Sequence, residues 1–271
     1  MNIVSDVWAQ AIREYLVAQV AAGAPPTTCA TRRQHLEHLA RRVDVGPWSV
    51  TGADLVAYAG AQVWKPETRR GRRSTFRSFY GWAVAVGHVE ASPAVVLPRV
   101  KPGQARPRPI PEHVYEDALL RSDERLRLIL RLAHDAGLRR GEIAVVHSRD
   151  LFEDLHGWSL RVRGKGNKER DVPLTPRLAL ELRTLPPGWA FPGDEGGHLS
   201  ARWVGKLATG VLPDGWTLHT LRHSFATHVY ARSDLAVTQD LLGHASPATT
   251  RVYVQVADGR LRSAVLAAAA G

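Results

Sequence analysis

One cysteine, Cys29, is all the thiol chemistry this 271-residue sequence offers, so it forms neither an internal disulfide nor a cysteine-rich zinc site. No apolar run approaches the roughly 20 residues a membrane-spanning helix needs. The opening MNIVSDVWAQAIREYL lacks a basic stretch followed by an apolar one, so no secretory signal is expected and a reducing cytoplasm is the simple location. A GxxxxGK[ST] phosphate loop is missing, as are HExxH and any carboxylate cluster suited to a metal. The chain shows no internal repeat and no low-complexity array apart from an Ala-rich tail.

What is present is positive charge. The net charge is +10 and the hydrophobic content is 44%, which describes a folding chain with a polyanion as its partner. Residues 1–111 hold 15 Lys and Arg against 7 Asp and Glu, a net of +8; residues 112–271 hold 21 against 19, a net of +2. The first third therefore reads as an electrostatic holder. Arg outnumbers Lys 31 to 5, so a GC-rich genome is a blander source of part of this basicity.

Residues 98–111, PRVKPGQARPRPIP, contain five prolines and four basic residues. Proline removes a backbone donor and blocks helix continuation, so this is an extended basic linker between residues 1–97 and residues 112–271. Ahead of it, four helical patterns run through VWAQAIREYLVAQV, ATRRQHLEHLARRV with Thr28 as its cap, TGADLVAYAGAQV and ETRRGRRSTFRSFYGWAVAVG. The prolines of GAPPTT stop the first. Residues 65–77 carry six basic residues, including Arg69, Arg70, Arg72, Arg73 and Arg77, and Arg32 and Arg33 extend the patch from another helix. Such a stretch meets phosphates through charge and backbone N–H groups; the alternative is a solvated basic face. Behind the linker two helices are expected, closed by Gly137, with a third beginning at Gly141. HGWSLRVRGKGNKERDVPLT alternates about a Gly-rich turn as a β-hairpin does. Helices resume near Pro176, and SARWVGKLATGV forms another, carrying Arg202 and Lys206.

Several side chains in this second part bear chemistry. In LHTLRHSFATHV, Leu218, Leu221, Phe225 and Val229 form a buried stripe at helical spacing, while His219 and Arg222 share a neighbouring face and can meet one phosphate together. His219 and His223 are spaced to hold zinc but lack a third ligand and the glutamate of HExxH; core packing of His219 is a further alternative. Lys165 sits at the hairpin tip between glycines that admit a close backbone approach, with Lys168 nearby. A lysine can be tuned into an acid, whereas arginine keeps its proton. Tyr253 follows His244 by nine residues, on a helix opened by Ser246-Pro247. Ionising a phenol at neutral pH costs roughly 4 kcal/mol, so cations or a base must help it, and a lone tyrosine is more often core.

Taken as a set, these segments resemble the tyrosine recombinases, also called phage integrases, over nearly the whole chain. GLRRGE resembles the first-arginine box with Arg139, GKGNKERDVPL the lysine hairpin with Lys165, HTLRH the His-x-x-Arg pair His219 and Arg222, and LLGHASPATTRVY supplies His244 and the nucleophile Tyr253. The resemblance implies a mainly α fold with a small antiparallel sheet, in a two-domain, C-shaped DNA clamp. Residues 1–97 become a helical core-DNA-binding domain and residues 112–271 the catalytic domain. It implies that Tyr253 forms a 3′-phosphotyrosine, that Arg139 and Arg222 hold the non-bridging oxygens, that Lys165 is the general acid, and that His219 and His244 assist. Neither ATP nor a metal is needed, because the covalent link keeps the phosphoester energy.

The expected partners are duplex DNA carrying specific sites, four protomers on two synapsed sites, and an accessory DNA-bending or directionality factor. The tail ADGRLRSAVLAAAAG, with Leu261, Val265 and Ala268 on one side, is expected to dock on a neighbouring protomer; packing in cis is the alternative. The leading expectation is an integrase of a phage or mobile element. A housekeeping recombinase resolving chromosome or plasmid dimers is the alternative within the family, and a non-catalytic DNA-binding regulator the alternative outside it. The location follows as cytoplasmic and nucleoid-associated.

Overall fold

The computed structural model describes residues 3–101, 108–164, 168–194 and 196–243. The chain divides into two compact units, Met1–Gln104 and Ala105–Gly271.

In the first unit, α1 (Asp6–Ala21) buries Trp8, Ala11, Ile12, Tyr15 and Leu16, the spacing of one helical face. It packs on α2 (Pro26–Ala40), which packs on α4 (Pro66–Ala85); α3 (Gly52–Gly60) sits against a 3-10 turn, Pro93–Val96. Thr28 does not cap α2. The helix begins two residues earlier, with Pro26 in its first turn and Pro25 ahead of it, because a proline there has no N–H to leave unpaired. The prolines read as a stop for α1 thus also start α2. Thr51 caps α3 by accepting from the Asp54 N–H, while the Asp54 carboxylate accepts in return from the Thr51 N–H.

The core of this unit is aromatic. Phe79 is fully buried, with the Tyr15 ring edge-on at 5.3 Å and the Trp48 ring stacked at 5.8 Å. Polar tips in the core find partners: Trp8 Nε1 donates to the Val45 carbonyl at 2.9 Å, and Tyr15 OH donates to Ser78 Oγ at 2.8 Å. Beside α4 a second polar set connects His35 to Thr75 at 2.8 Å, His38 to Tyr58 at 2.6 Å, and Arg72 to Tyr58 at 3.1 Å.

The second unit contains α5 (Glu112–Leu120), α6 (Glu124–His134), α7 (Arg140–Ala144), the strands β1 (Leu151–Asp154), β2 (Gly157–Arg163) and β3 (Glu169–Pro173), then α8 (Pro176–Arg183), α9 (Ala201–Thr209), α10 (Leu218–Arg232) and α11 (Leu235–Leu242). The strands form one antiparallel sheet in the order β1-β2-β3. β2 and β3 are the expected hairpin, with Arg161 opposite Asp171 and Arg163 opposite Glu169. β1 carries no visible alternation in the sequence, because LFED is short and followed at once by the Leu155-His156 turn.

The fold is mainly α with a small antiparallel sheet. α6 is buried without a break from Leu128 to His134 and packs along α10. The stripe read on α10 is wider than expected: Leu218 and Leu221 are buried and Phe225 and Val229 half-buried, but Arg222, Ser224 and Ala226 are buried as well. α6 ends at His134, three residues before Gly137.

Burial, and then the Arg72 guanidinium, lower the His35 and His38 pKa values from 6.5 to about 4; for His38, Arg42, Arg41 and His35 add to this. Folded values below the unfolded one mean that protons favour the unfolded chain. The stability these rings allow is present above pH 6.5 and is lost as pH falls toward about 4. The urea midpoint of the full chain is expected to drop across that window, and less steeply in His35→Gln/His38→Gln; an identical pH slope in the double variant would contradict this.

Candidate active site

The second unit buries a carboxylate, that of Glu142 in α7, which is 5% exposed. Its spacing of three from Arg139 lets it reach back to the start of its own helix, where Oε2 accepts from the Arg139 N–H at 2.8 Å. Oε1 accepts from Arg139 Nη1 at 2.8 Å. From β3, Arg170 donates Nη1 to Oε1 at 2.9 Å and Nη2 to Oε2 at 2.8 Å, a two-pronged pair. From α10, Arg222 Nη1 stands 3.8 Å from Oε2.

Three guanidiniums from three chain segments therefore surround one carboxylate, a local excess of positive charge. Burial opposes ionisation of Glu142, but the hydrogen bonds from Arg170 and the Arg139 backbone, and the charge of Arg170, outweigh it and hold the pKa at about 2.

Arg222 is 2% exposed and donates to two carbonyls, Gly137 O and, at 2.6 Å, Leu242 O. Gly137 has φ +64°, and a Cβ there would lie 2.3 Å from Phe225 Cδ1, so glycine is required for the turn that aims this carbonyl. The α11 terminus is tied twice, Leu242 O to Arg222 and Leu241 O to Arg170 Nε at 2.9 Å. Gly243, at φ +58°, closes α11.

His219 lies in the first turn of α10, set by Thr217, whose hydroxyl accepts from the His219 N–H at 3.2 Å. The residue lies at the surface with its ring partly covered, and its pKa is lowered by that burial and then by Arg222 and Arg139. The imidazole is thus biased toward the neutral form that accepts a proton. Its ring centroid is 4.3 Å from that of His223, whose pKa falls to about 4 through burial, His219 and Arg222. Among the described residues no three His, Cys, Asp or Glu side chains converge to hold a metal.

The structure thus brings Arg139, His219 and Arg222 into one neighbourhood. Lys165, His244 and Tyr253 lie outside the described residues, as do residues 102–107 of the linker and the tail. Of the residues expected to meet DNA, Arg33, Arg70, Arg77, Lys168, Arg202 and Lys206 are exposed, with Arg70 paired to Glu67 at 2.9 Å and Lys206 over the Trp203 ring at 4.6 Å. Arg32, Arg69, Arg72 and Arg73 are half-buried and spend donors inside the protein: Arg32 on Gln19, Arg69 on Ala59 O and Gln62 O, Arg72 on Tyr58, and Arg73 on Leu97 O. Arg72 also lies 4.4 Å over the Trp64 ring. Sequence reasoning assigned no role to Glu142 or Arg170, although both lie inside the quoted motifs GLRRGE and GNKERDVPL.

The Phage integrase family model matches residues 110–260. The tyrosine recombinase XerC of Methylobacterium nodulans is 38% identical, over 87% of this chain and 83% of the relative. The chain belongs to the phage integrase family. The tyrosine recombinase XerC of Chromobacterium violaceum is 32% identical, over 90% of this chain and 89% of the relative. In fold, the recombinase is similar to a lambda integrase tetramer bound to a Holliday junction, with a TM-score of 0.71, 19% identity, and coverage of 88% of this chain and 77% of that one. As a tyrosine recombinase it is an enzyme of DNA strand cleavage and rejoining.

In Glu142→Gln the carboxylate that gathers the arginines loses its charge. The folded pKa of about 2 against the ordinary 4.5 corresponds to about 3 kcal/mol, present above pH 4.5 and lost as pH falls toward 2. Urea unfolding of wild type is therefore expected to weaken across this window, and Glu142→Gln to be less stable at neutral pH with a flatter acid profile. Equal stability of the two at pH 7 would sink this assignment.

Proposed function

We propose that this recombinase is a Xer-like site-specific recombinase that resolves chromosome or plasmid dimers. The single observation that carries this is the pair of XerC relatives, 38% and 32% identical over most of both chains. They favour the dimer-resolving alternative over the phage or mobile-element integrase that the motifs first suggested. The substrate is duplex DNA with specific sites, and four protomers on two sites are the working assembly, with an accessory DNA-bending or directionality factor as a further partner. The reaction belongs in the cytoplasm, on the chromosome.

In this reading the Tyr253 hydroxyl attacks the scissile phosphorus. A bond forms between the phenolic oxygen and phosphorus, the bond to the 5′-oxygen breaks, and Lys165 gives that oxygen its proton, leaving a 3′-phosphotyrosine and a 5′-hydroxyl. Arg139, half exposed beside Glu142, meets a non-bridging oxygen. Arg222 joins it by exchanging the Leu242 carbonyl for a phosphate oxygen. His219, biased toward its neutral form, receives the tyrosine proton, and His244 supports the phosphate. Attack by the partner strand's 5′-hydroxyl reverses the step on a new strand. The basic α4 and the exposed Arg33, Arg202 and Lys206 hold the DNA backbone.

The test starts with a binding site selected by the wild-type protein from a random-sequence duplex pool, rebuilt as a nicked suicide duplex. A covalent adduct is expected with wild type and none with Tyr253→Phe, and Arg139→Ala is expected to slow its formation about 100-fold or more. An adduct that survives Tyr253→Phe would overturn the chemistry. A plasmid dimer carrying two copies of the site is expected to resolve to monomers; joining only of unlike sites would favour the integrase reading.

A further inference from the structure

Arg170 stands apart from the motif residues. It is 11% exposed in its side chain, lies on β3 and donates three hydrogen bonds inward: two to the Glu142 carboxylate and one to Leu241 O. Of the four hydrogen bonds within 2.9 Å that Glu142 accepts from the described residues, Arg170 supplies two, one to each oxygen. A Cβ on Gly243 would lie 3.1 Å from Arg170 Cδ and 3.2 Å from Nη1, so the chain end of α11 also fits around this side chain.

The consequence is electrostatic. A buried carboxylate must be paired. With Arg170 in place, Glu142 is satisfied while Arg139 keeps a side chain 41% exposed and Arg222 stays at 3.8 Å. Without Arg170, the nearest cations among the described residues that can replace the lost hydrogen bonds are those two arginines. Arg222 would be drawn onto the carboxylate and Arg139, already bonded to Oε1, held there more fully, both away from a phosphate, and the cluster would lose one of its three positive charges.

We infer that Arg170 is a positioning residue for strand cleavage: by saturating Glu142 it leaves Arg139 and Arg222 able to neutralise the phosphate. This rests on the reading that those two arginines meet the scissile phosphate.

The test compares two suicide duplexes of the selected sequence, one with the ordinary scissile phosphate and one with a methylphosphonate there, which carries no charge for the arginines to neutralise. Arg170→Leu is expected to slow adduct formation on phosphate about 30-fold or more and on methylphosphonate by less than about 3-fold. Arg170→Lys keeps the charge and loses the fork. It is expected to lie between, about 5-fold slower on phosphate and near wild type on methylphosphonate, and it carries the test if the leucine variant fails to fold. A wild-type rate on phosphate, or equal slowing on both substrates, would overturn the inference. If wild type itself makes no Tyr253-dependent adduct, the proposed function fails instead, so the two failures are separable.

Discussion

A charge buried in a protein interior must be compensated, and Glu142 is the place where this chain meets that constraint most fully. Its carboxylate takes hydrogen bonds from Arg139 on its own helix and Arg170 on β3, with Arg222 of α10 within ion-pair range. A buried ion cluster gains little stability over a well-packed apolar one, because desolvation offsets the attraction; removing a single partner is what costs heavily. What the cluster fixes is geometry. It fastens three segments, separated by up to 80 positions between Glu142 and Arg222, at one point.

The surrounding fold buries Glu142 and Arg222. α6, buried along its second half, packs against α10, which carries Arg222, while the β2–β3 pair carries Arg170. The carbonyls of Gly137 and Leu242 accept from Arg222, and that of Leu241 from Arg170. Guanidinium forks suit this task because they present several donors in a fixed plane and do not lose their proton. A lysine at position 170 would hold one oxygen at a time.

Much of this was legible in the residues. Helical spacing located α1, α3, α4, α6 and α10, and the alternation in WSLRVR and RDVP located β2 and β3. Arg139, His219 and Arg222 were recognised through short motifs and do converge. Other features were hidden for physical reasons. The start of α2 was misplaced because a proline pair reads equally as an end and a beginning. β1 is too short for a period to show. The wide burial of α10 follows from tertiary packing on several sides, which a single apolar stripe cannot express. Nothing in the residues sets Glu142 and Arg170 apart, since charged residues are mostly exposed; only the fold makes them partners across 28 positions. The inward-turned donors of Arg69, Arg72 and Arg73 were hidden for the same reason, a basic run being silent about which arginines face solvent.

The central claim is that Glu142 and Arg170 act as one energetic unit on which the arrangement of the other arginines depends. A double-mutant cycle measures it directly, with Glu142→Gln, Arg170→Leu and the double variant unfolded in urea at pH 7. The account predicts a coupling energy of about 2 kcal/mol, with the double variant less destabilised than the two single losses added together. Losses that simply add, to within about 0.5 kcal/mol, would contradict it.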